Sequence, residues 1–313
     1  MKVLVTGGAG FIGGHLVDAL VAGGATVRVI DNFSTGRREN LAHHGADVEV
    51  IEGDICDPDA VGRAIEGVEL VYHEAAIPSV SRSVNDPVAS NRANVGGTVQ
   101  VLDAARRAGV RKLVYAESSS AYGDTEVLTK VETMTPMPLS PYAISKLAGE
   151  HYVTVFGRLY GFETVSLRYF NVFGPRQDPF SQYAAVIPLF ITRVLRGERP
   201  TIYGDGGQSR DFTYIDNVVE GNILAATSGA GGGEAFNIAC GDRLTVNGLL
   251  EAVNGILGAS VTPVHAEPRP GDIRHSTADH GKARRILGFE PRVPFLEGLR
   301  RTVAWYRTKE QAS

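Results

Sequence analysis

Cysteine is almost missing from this 313-residue chain: Cys56 and Cys240 are too few for a disulfide framework or a zinc site. Long apolar runs are missing as well. The runs present are a few residues each, far short of the roughly 20 needed to span a bilayer. Neither sign of charge dominates, because 31 basic and 35 acidic residues leave a net charge of −4 without a long block of either. That balance speaks against a nucleic-acid groove or a membrane-surface patch. At the N-terminus the apolar run Val3-Leu4-Val5 is closed by Gly7, too early for a secretory signal, so a cytoplasmic location is expected. His43 and His44 have no partner at metal-ligand spacing; they read as solvated surface histidines, and no metal is expected. What remains is the composition of a soluble globular protein with room for one large domain or two modest ones.

The first half alternates short β-branched runs with amphipathic helical stretches. Strands are expected at Lys2–Thr6, Ala25–Asp31, Asp47–Glu52, Glu69–His73, Lys112–Ala116 and Glu163–Leu167, with helices at Phe11–Ala22, Asp57–Glu66, Asn94–Ala108 and Tyr142–Tyr160. Strand–helix alternation at this spacing predicts an α/β fold, a doubly wound parallel sheet covered on both faces. Beyond about Gly174, prolines and glycines break the rhythm, and only Val246–Leu257 and Val293–Tyr306 stand out as helices. The expected division is residues 1–173 as a dinucleotide-binding domain and 174–313 as a smaller substrate domain, with parts near 212–239 returning to the first.

Between the first strand and first helix, Gly7, Gly10 and Gly13 follow a G-x-x-G-x-x-G spacing. Such a turn lets bare amides and a helix N-terminus hold a pyrophosphate. With 37 glycines in the chain, the strand-before, helix-after context carries this reading rather than the glycines alone. Asp31 ends the second strand, 18 residues beyond Gly13, where a carboxylate accepts from an adenosine ribose diol and favours NAD over NADP. Asp54 and Ile55, after the third strand, suit the adenine. Tyr142 and Lys146 stand at i and i+4 at a helix start, where Ser140 is the expected N-cap and Pro141 suits the first turn. A tyrosine with a pKa of about 10 becomes a base near neutral pH only with about 4 kcal/mol of help. A neighbouring ammonium, a nicotinamide cation and a helix N-terminus are candidate sources. Ser118-Ser119-Ser120, just past the fifth strand, puts hydroxyls where such sheets bind ligands.

These segments, together with DNFSTG, HEAA, SPYAISK, RYFNVFGPRQ, GDGGQSRDFTYIDNV and RPGDIRHSTAD, resemble the extended short-chain dehydrogenase/reductases, and within them the UDP-hexose 4-epimerases, almost end to end. The resemblance implies a cytoplasmic homodimer that keeps NAD bound, takes a UDP-sugar, and epimerises C4 through a transient 4-keto sugar. By it, Tyr142 is the base, Lys146 binds the nicotinamide ribose and tunes Tyr142, and Ser118 is the active-site hydroxyl. It adds Phe11, Ile12, Asn32, Ser34, Thr35, Gly36, Ala75, Ala76, Asn94 and Tyr169 to the cofactor pocket. For the substrate it implies Ser79, Ser119, Asn171, Ala185, Val186, Tyr203, Arg210, Arg269, Asp272 and Ser276 beside Ser118. The dimer interface would use the helices Asn94–Ala108 and Tyr142–Tyr160. Ser276 occupies a position where a tyrosine in the family restricts the sugar to glucose and galactose; a small residue leaves room for a 2-acetamido group.

Glu117 departs from the pattern, and a glutamate facing away from the cleft is expected. Three rivals stay open: a 4,6-dehydratase, which calls for Asp-Glu where this chain has Ser119-Ser120; a uronate epimerase or decarboxylase, where threonine tends to replace Asn171; and a non-catalytic NAD-sensing module. His73, at a strand end, is expected to pack or cap.

Overall fold

The computed structural model describes residues 1–179, 185–268 and 274–311. Its centre is a sheet of seven strands: β1 (Lys2–Thr6), β2 (Thr26–Asp31), β3 (Val48–Glu52), β4 (Leu70–His73), β5 (Lys112–Ser118), β6 (Glu163–Tyr169) and β7 (Glu234–Ile238). Their spatial order is 3-2-1-4-5-6-7, and every pairing is parallel. Side-chain alternation splits the core in two. Val3 and Val5 join one cluster with Leu16 and Ile215, whereas Leu4 joins the other with Val61, Leu102 and Val153. A strand buried on both faces needs this continuous apolar run, which is why KVLVT could be recognised.

Helix α1 (Phe11–Ala22) packs on one face, and α2 (Pro58–Ile65), α3 (Thr98–Arg107) and α4 (Pro141–Tyr160) on the other. As expected, Ser140 caps α4 by accepting from the Ala143 amide at 3.1 Å, and Gly161 ends it in the left-handed region at φ 62°. The expected helix from Asn94 differs. Residues Arg92–Gly97 form a wider, π-type turn, and α3 proper starts at Thr98. In this turn the side-chain amide of Asn94 is tied to the backbone of Ile77, accepting from its amide at 2.7 Å and donating to its carbonyl at 3.3 Å.

The later half holds more structure than its prolines and glycines suggest. Helix α5 (Val186–Leu195) contains Pro188, tolerated because the first turn of a helix has no intrahelical use for that amide. Helix α6 (Ile215–Thr227) packs against α1, and β7 then completes the edge of the main sheet beside β6. Helices α7 (Val246–Leu257) and α8 (Phe295–Gln311) follow. A small second sheet pairs Ser209–Arg210 with Leu244–Thr245 and His275–Ala278, the last also pairing Thr129–Lys130. Both cysteines are free thiols. No helix among the described residues is long and apolar enough to cross a membrane.

Candidate active site

The order 3-2-1-4 reverses the direction of winding between β1 and β4, and ligands of such sheets bind outside the strand ends at this point. Here the chain makes its glycine turn. Gly7 sits at φ +69°, and a Cβ on it would lie 2.8 Å from Ala75 Cα; one on Gly13 would lie 2.3 Å from the Gly7 carbonyl oxygen. Those two glycines are therefore demanded by the fold itself. Gly10 caps α1 with no side-chain hydrogen bond, no acidic residue stands in the first turn, and the first intrahelical bond runs from the Gly14 amide to the Gly10 carbonyl at 3.0 Å. The amides of Phe11 and Ile12 are thus left to an anion. Asp31 takes the Ala9 amide on Oδ2 at 2.9 Å and the Phe33 amide on Oδ1 at 2.8 Å, so it locks the turn to the end of β2 and keeps acceptor capacity for a diol. Asn32 donates to Asp54 Oδ2 at 3.2 Å, joining the ends of β2 and β3. The donor set fits the pyrophosphate and ribose of NAD.

Ser118 is the last residue of β5. Its Oγ accepts from the Ser120 amide at 3.2 Å and from the Ser120 hydroxyl at 2.9 Å, so its own proton points elsewhere. Ser118 also meets the Tyr142 phenol, where it acts to lower the phenol pKa against the larger effect of burial. The start of α4 is fixed by the Tyr142 amide donating to Ser83 Oγ at 2.9 Å. One turn on, Lys146 is buried with its Nζ 4.2 Å from the centre of the Tyr115 ring, while the Tyr115 hydroxyl donates to the Lys146 carbonyl at 3.1 Å. Ser118, Tyr142 and Lys146 are brought to one place, as expected. Their protonation differs from expectation. Burial pushes the Tyr142 phenol up to about 12 and the charge of Glu117 adds to the rise. Burial also holds the Lys146 ammonium below its usual range, against the pull of Glu117 and Glu74.

Past the end of β6 lies a cavity of about 260 Å³ lined by Asn171, Ala185, Val186, Tyr203 and Arg210, with Phe173 and Phe190 on its apolar side. Five residues expected from four separated segments thus share one wall. Asn171 adopts φ 32°, and its side-chain amide donates to the Asp211 carbonyl at 2.9 Å, which turns the chain after β6 towards the cavity.

Residues 3–239 match the model of the "NAD dependent epimerase/dehydratase family". The chain belongs to that family. NAD is accordingly its cofactor. The chain is 42% identical to a UDP-glucose 4-epimerase of Mycolicibacterium smegmatis over 99% of its own length and 100% of the relative's. Among solved structures it superposes on a UDP-glucose 4-epimerase of Thermotoga maritima, bound to UDP-glucose, with TM-score 0.95 and 41% identity, covering 99% and 100% of the two chains. It is also similar to a UDP-N-acetylglucosamine 4-epimerase of Methanobrevibacter ruminantium in complex with UDP-N-acetylmuramic acid, at TM-score 0.94 and 40% identity, covering 98% of each chain.

Within this epimerase/dehydratase framework several expected site residues carry structural duties. Ser79 caps the helix Val80–Asn85, accepting from the Arg82 amide at 3.1 Å. Asn94 also donates to Ser145 at 3.0 Å, binding the loop after β4 to α4. The Tyr169 hydroxyl donates to Glu74 at 2.8 Å and receives Asn222 at 2.8 Å. Ala75 donates its amide to Thr6 Oγ1 at 3.2 Å, and Ala76 follows it in the same loop. Ser34 donates its amide to Asn32 at 3.0 Å, with Thr35 and Gly36 next to it after β2. Ile55 is buried against Gly97, where a Cβ would come within 2.5 Å. Ser276 pairs with Arg210 across the small sheet and is 8% exposed. Arg269 and Asp272 lie outside the described residues. His73 bridges Thr6 at 2.7 Å and Thr98 at 2.9 Å, and burial keeps it neutral with a pKa of about 3.

Two expectations are corrected. Glu117 does not face away: it is 2% exposed on the α4 side of β5, and one carboxyl oxygen, Oε1, has no partner among the described residues. The strand's alternation puts Glu117 on the same side as Tyr115, buried under α4. His43 is exposed, as expected, but the side chain of His44 is largely covered. Both reach Asp18 Oδ1, at 2.9 and 2.8 Å, giving three ligand-type atoms within 4.8 Å. Arg176 occupies the other oxygen of Asp18 and supplies positive charge there. The reading of the sequence also missed Glu74, Glu150 and Arg168. Arg168 forks onto Glu150 at 2.8 and 2.6 Å and donates to Tyr122 at 2.8 Å. Its charge within a strand otherwise of core type is the signal that could have found it.

Proposed function

We propose that the chain is a UDP-hexose 4-epimerase acting on UDP-glucose and UDP-galactose and, through the small side chain of Ser276, on their N-acetylated counterparts. The observation that carries this reading is the placement of Ser118 at the end of β5 against the Tyr142 phenol, with Lys146 one helical turn away, at the strand ends next to the glycine turn. When bound, NAD supplies the acceptor and donor of the hydride at sugar C4. Tyr142 removes the proton of the 4-hydroxyl and later returns it; Ser118 donates a hydrogen bond to the same oxygen region. Lys146 orients the ribose through its ammonium and lends Tyr142 positive charge. Because the chain's own burial pushes the phenol up to about 12, the charge of a bound nicotinamide would have to add to that of Lys146.

Arg210, in the cavity wall, and Arg269 would hold the diphosphate by forked hydrogen bonds, with Asp272 fixing the nucleotide, so that the hexose can turn while its leash stays fixed. Residues 1–173 and the segment that returns to the sheet carry the cofactor, and the remainder carries the UDP-sugar. A homodimer fits the exposed apolar side chains Ile144, Tyr152, Val155 and Leu159 along α4, and sedimentation at the monomer mass would overturn it. The test of the activity is incubation of purified protein with each UDP-sugar and no added NAD. Appearance of the C4 epimer supports the reading. A 4-keto-6-deoxy product would favour a dehydratase, and retention of NAD without turnover a binding module.

A further inference from the structure

Behind Tyr142 lies a layer of buried ionisable groups whose charges do not balance evenly. From α4 come Tyr142, Lys146 and Glu150; from β6, Arg168, which stands opposite Glu117 in the register. Tyr115 precedes Glu117 on the same face of β5, and Glu74 follows β4. Tyr122, in the turn after Ser118, completes the surroundings. Arg168 would be the natural counter-ion for Glu117, but it forks onto Glu150 and gives its remaining nitrogen contact to Tyr122. Glu150 and Arg168 therefore neutralise one another. Lys146 is then the cation not forked onto an acid: it interacts with Glu117 and Glu74 and stands one helical turn from the phenol of Tyr142, while the charge of Arg168 on Glu117 is opposed by that of Glu150.

We propose that Glu117 is a positioning residue acting through Lys146: its carboxyl group competes with the Tyr142 phenol for the Lys146 ammonium charge and so governs how readily the phenolate forms. The inference rests on the reading of Tyr142 as the base. Glu117 has the geometry for it. It adjoins Ser118, whose amide it accepts through Oε2, and its Oε1 is buried without a hydrogen-bond partner among the described residues. Glu74 is a weaker competitor, because Tyr169 already donates to it. Burial raises the pKa of Glu117, and its charge acts on both Lys146 and Tyr142. Sites coupled in this way titrate as a unit, and ionising one opposes ionising the next. Burial pushes Glu117 up to about 8, still below the phenol at about 12, so Glu117 takes the charge of Lys146 first.

The sign follows. Ionised Glu117 disfavours the phenolate, so removing its charge lets Tyr142 ionise at lower pH. In Glu117→Gln, measured as purified with its bound NAD on UDP-glucose, the acid limb of the kcat profile is expected to move down by about one pH unit or more. At a pH on that limb, kcat rises about tenfold while KM stays put. A uniform loss of kcat at every pH, with the limb unmoved, is what a merely structural glutamate gives, and it overturns the proposal. Wild-type protein inactive on every UDP-hexose, or a limb that survives in Tyr142→Phe, overturns instead the reading of Tyr142 on which the proposal stands. Should Glu117→Gln not fold, wild-type protein labelled with ¹³C in tyrosine rings and glutamate carboxyls decides. The resonance lost in Tyr142→Phe should show a step that coincides with the titration of one glutamate, and independent titrations overturn the coupling.

Discussion

The two ends of the site are built from different materials. At the cofactor end the contacts come from backbone: amides of a glycine turn, strand termini held in register, and Asp31 tied to two amides. At the cavity end they come from side chains: Asn171, Tyr203 and Arg210, reaching in from three separated segments. A backbone site tolerates little change, since a Cβ at Gly13 would overlap the Gly7 carbonyl. A side-chain site can be retuned one residue at a time. The difference predicts that substitutions at the chemical centre change turnover, whereas those in the cavity change binding and selectivity.

The largest expected effect is at the junction. Tyr142→Phe removes the proton acceptor and should lower kcat by about 10²–10⁴-fold while NAD stays bound; near-normal turnover would remove Tyr142 from the chemistry. Next, Arg210→Ala should raise KM for UDP-glucose about tenfold or more, the worth of a charge-assisted hydrogen bond, with kcat nearly unchanged. A fall in kcat at constant KM would erase the distinction between the two ends. Smallest in total rate but most diagnostic, Ser276→Tyr should suppress activity on UDP-N-acetylglucosamine and spare UDP-glucose. Equal loss of both would mean that the residue, buried beside Arg210, acts through packing and not as a gate.

These differences also explain what could be read from the sequence. Strands such as Leu70–His73 and the helix from Pro141 announce themselves, because burial on both faces and capping are local in the chain. The glycine turn is legible for the same reason. The cavity is not local: Asn171, Val186 and Tyr203 meet only through folding, and nothing but resemblance could group them. Least legible was electrostatics. The orientation of Glu117 depends on which residues α4 and β6 place around it, so a reading of one strand alone turned it away from the cleft. Likewise His43 and His44 find Asp18 across a distance in sequence that no spacing rule covers.

The position of β7 has a consequence for the order of events during synthesis. Its residues, Glu234–Ile238, pair with β6, which ends at Tyr169. Until that late stretch has left the ribosome, the flank of β6 is an open template with unmet backbone donors and acceptors, the kind of surface on which nascent chains stick to one another. The nucleotide-binding layer is thus sealed by a segment translated long after its own first strand, and a growing chain must keep that flank covered while it waits.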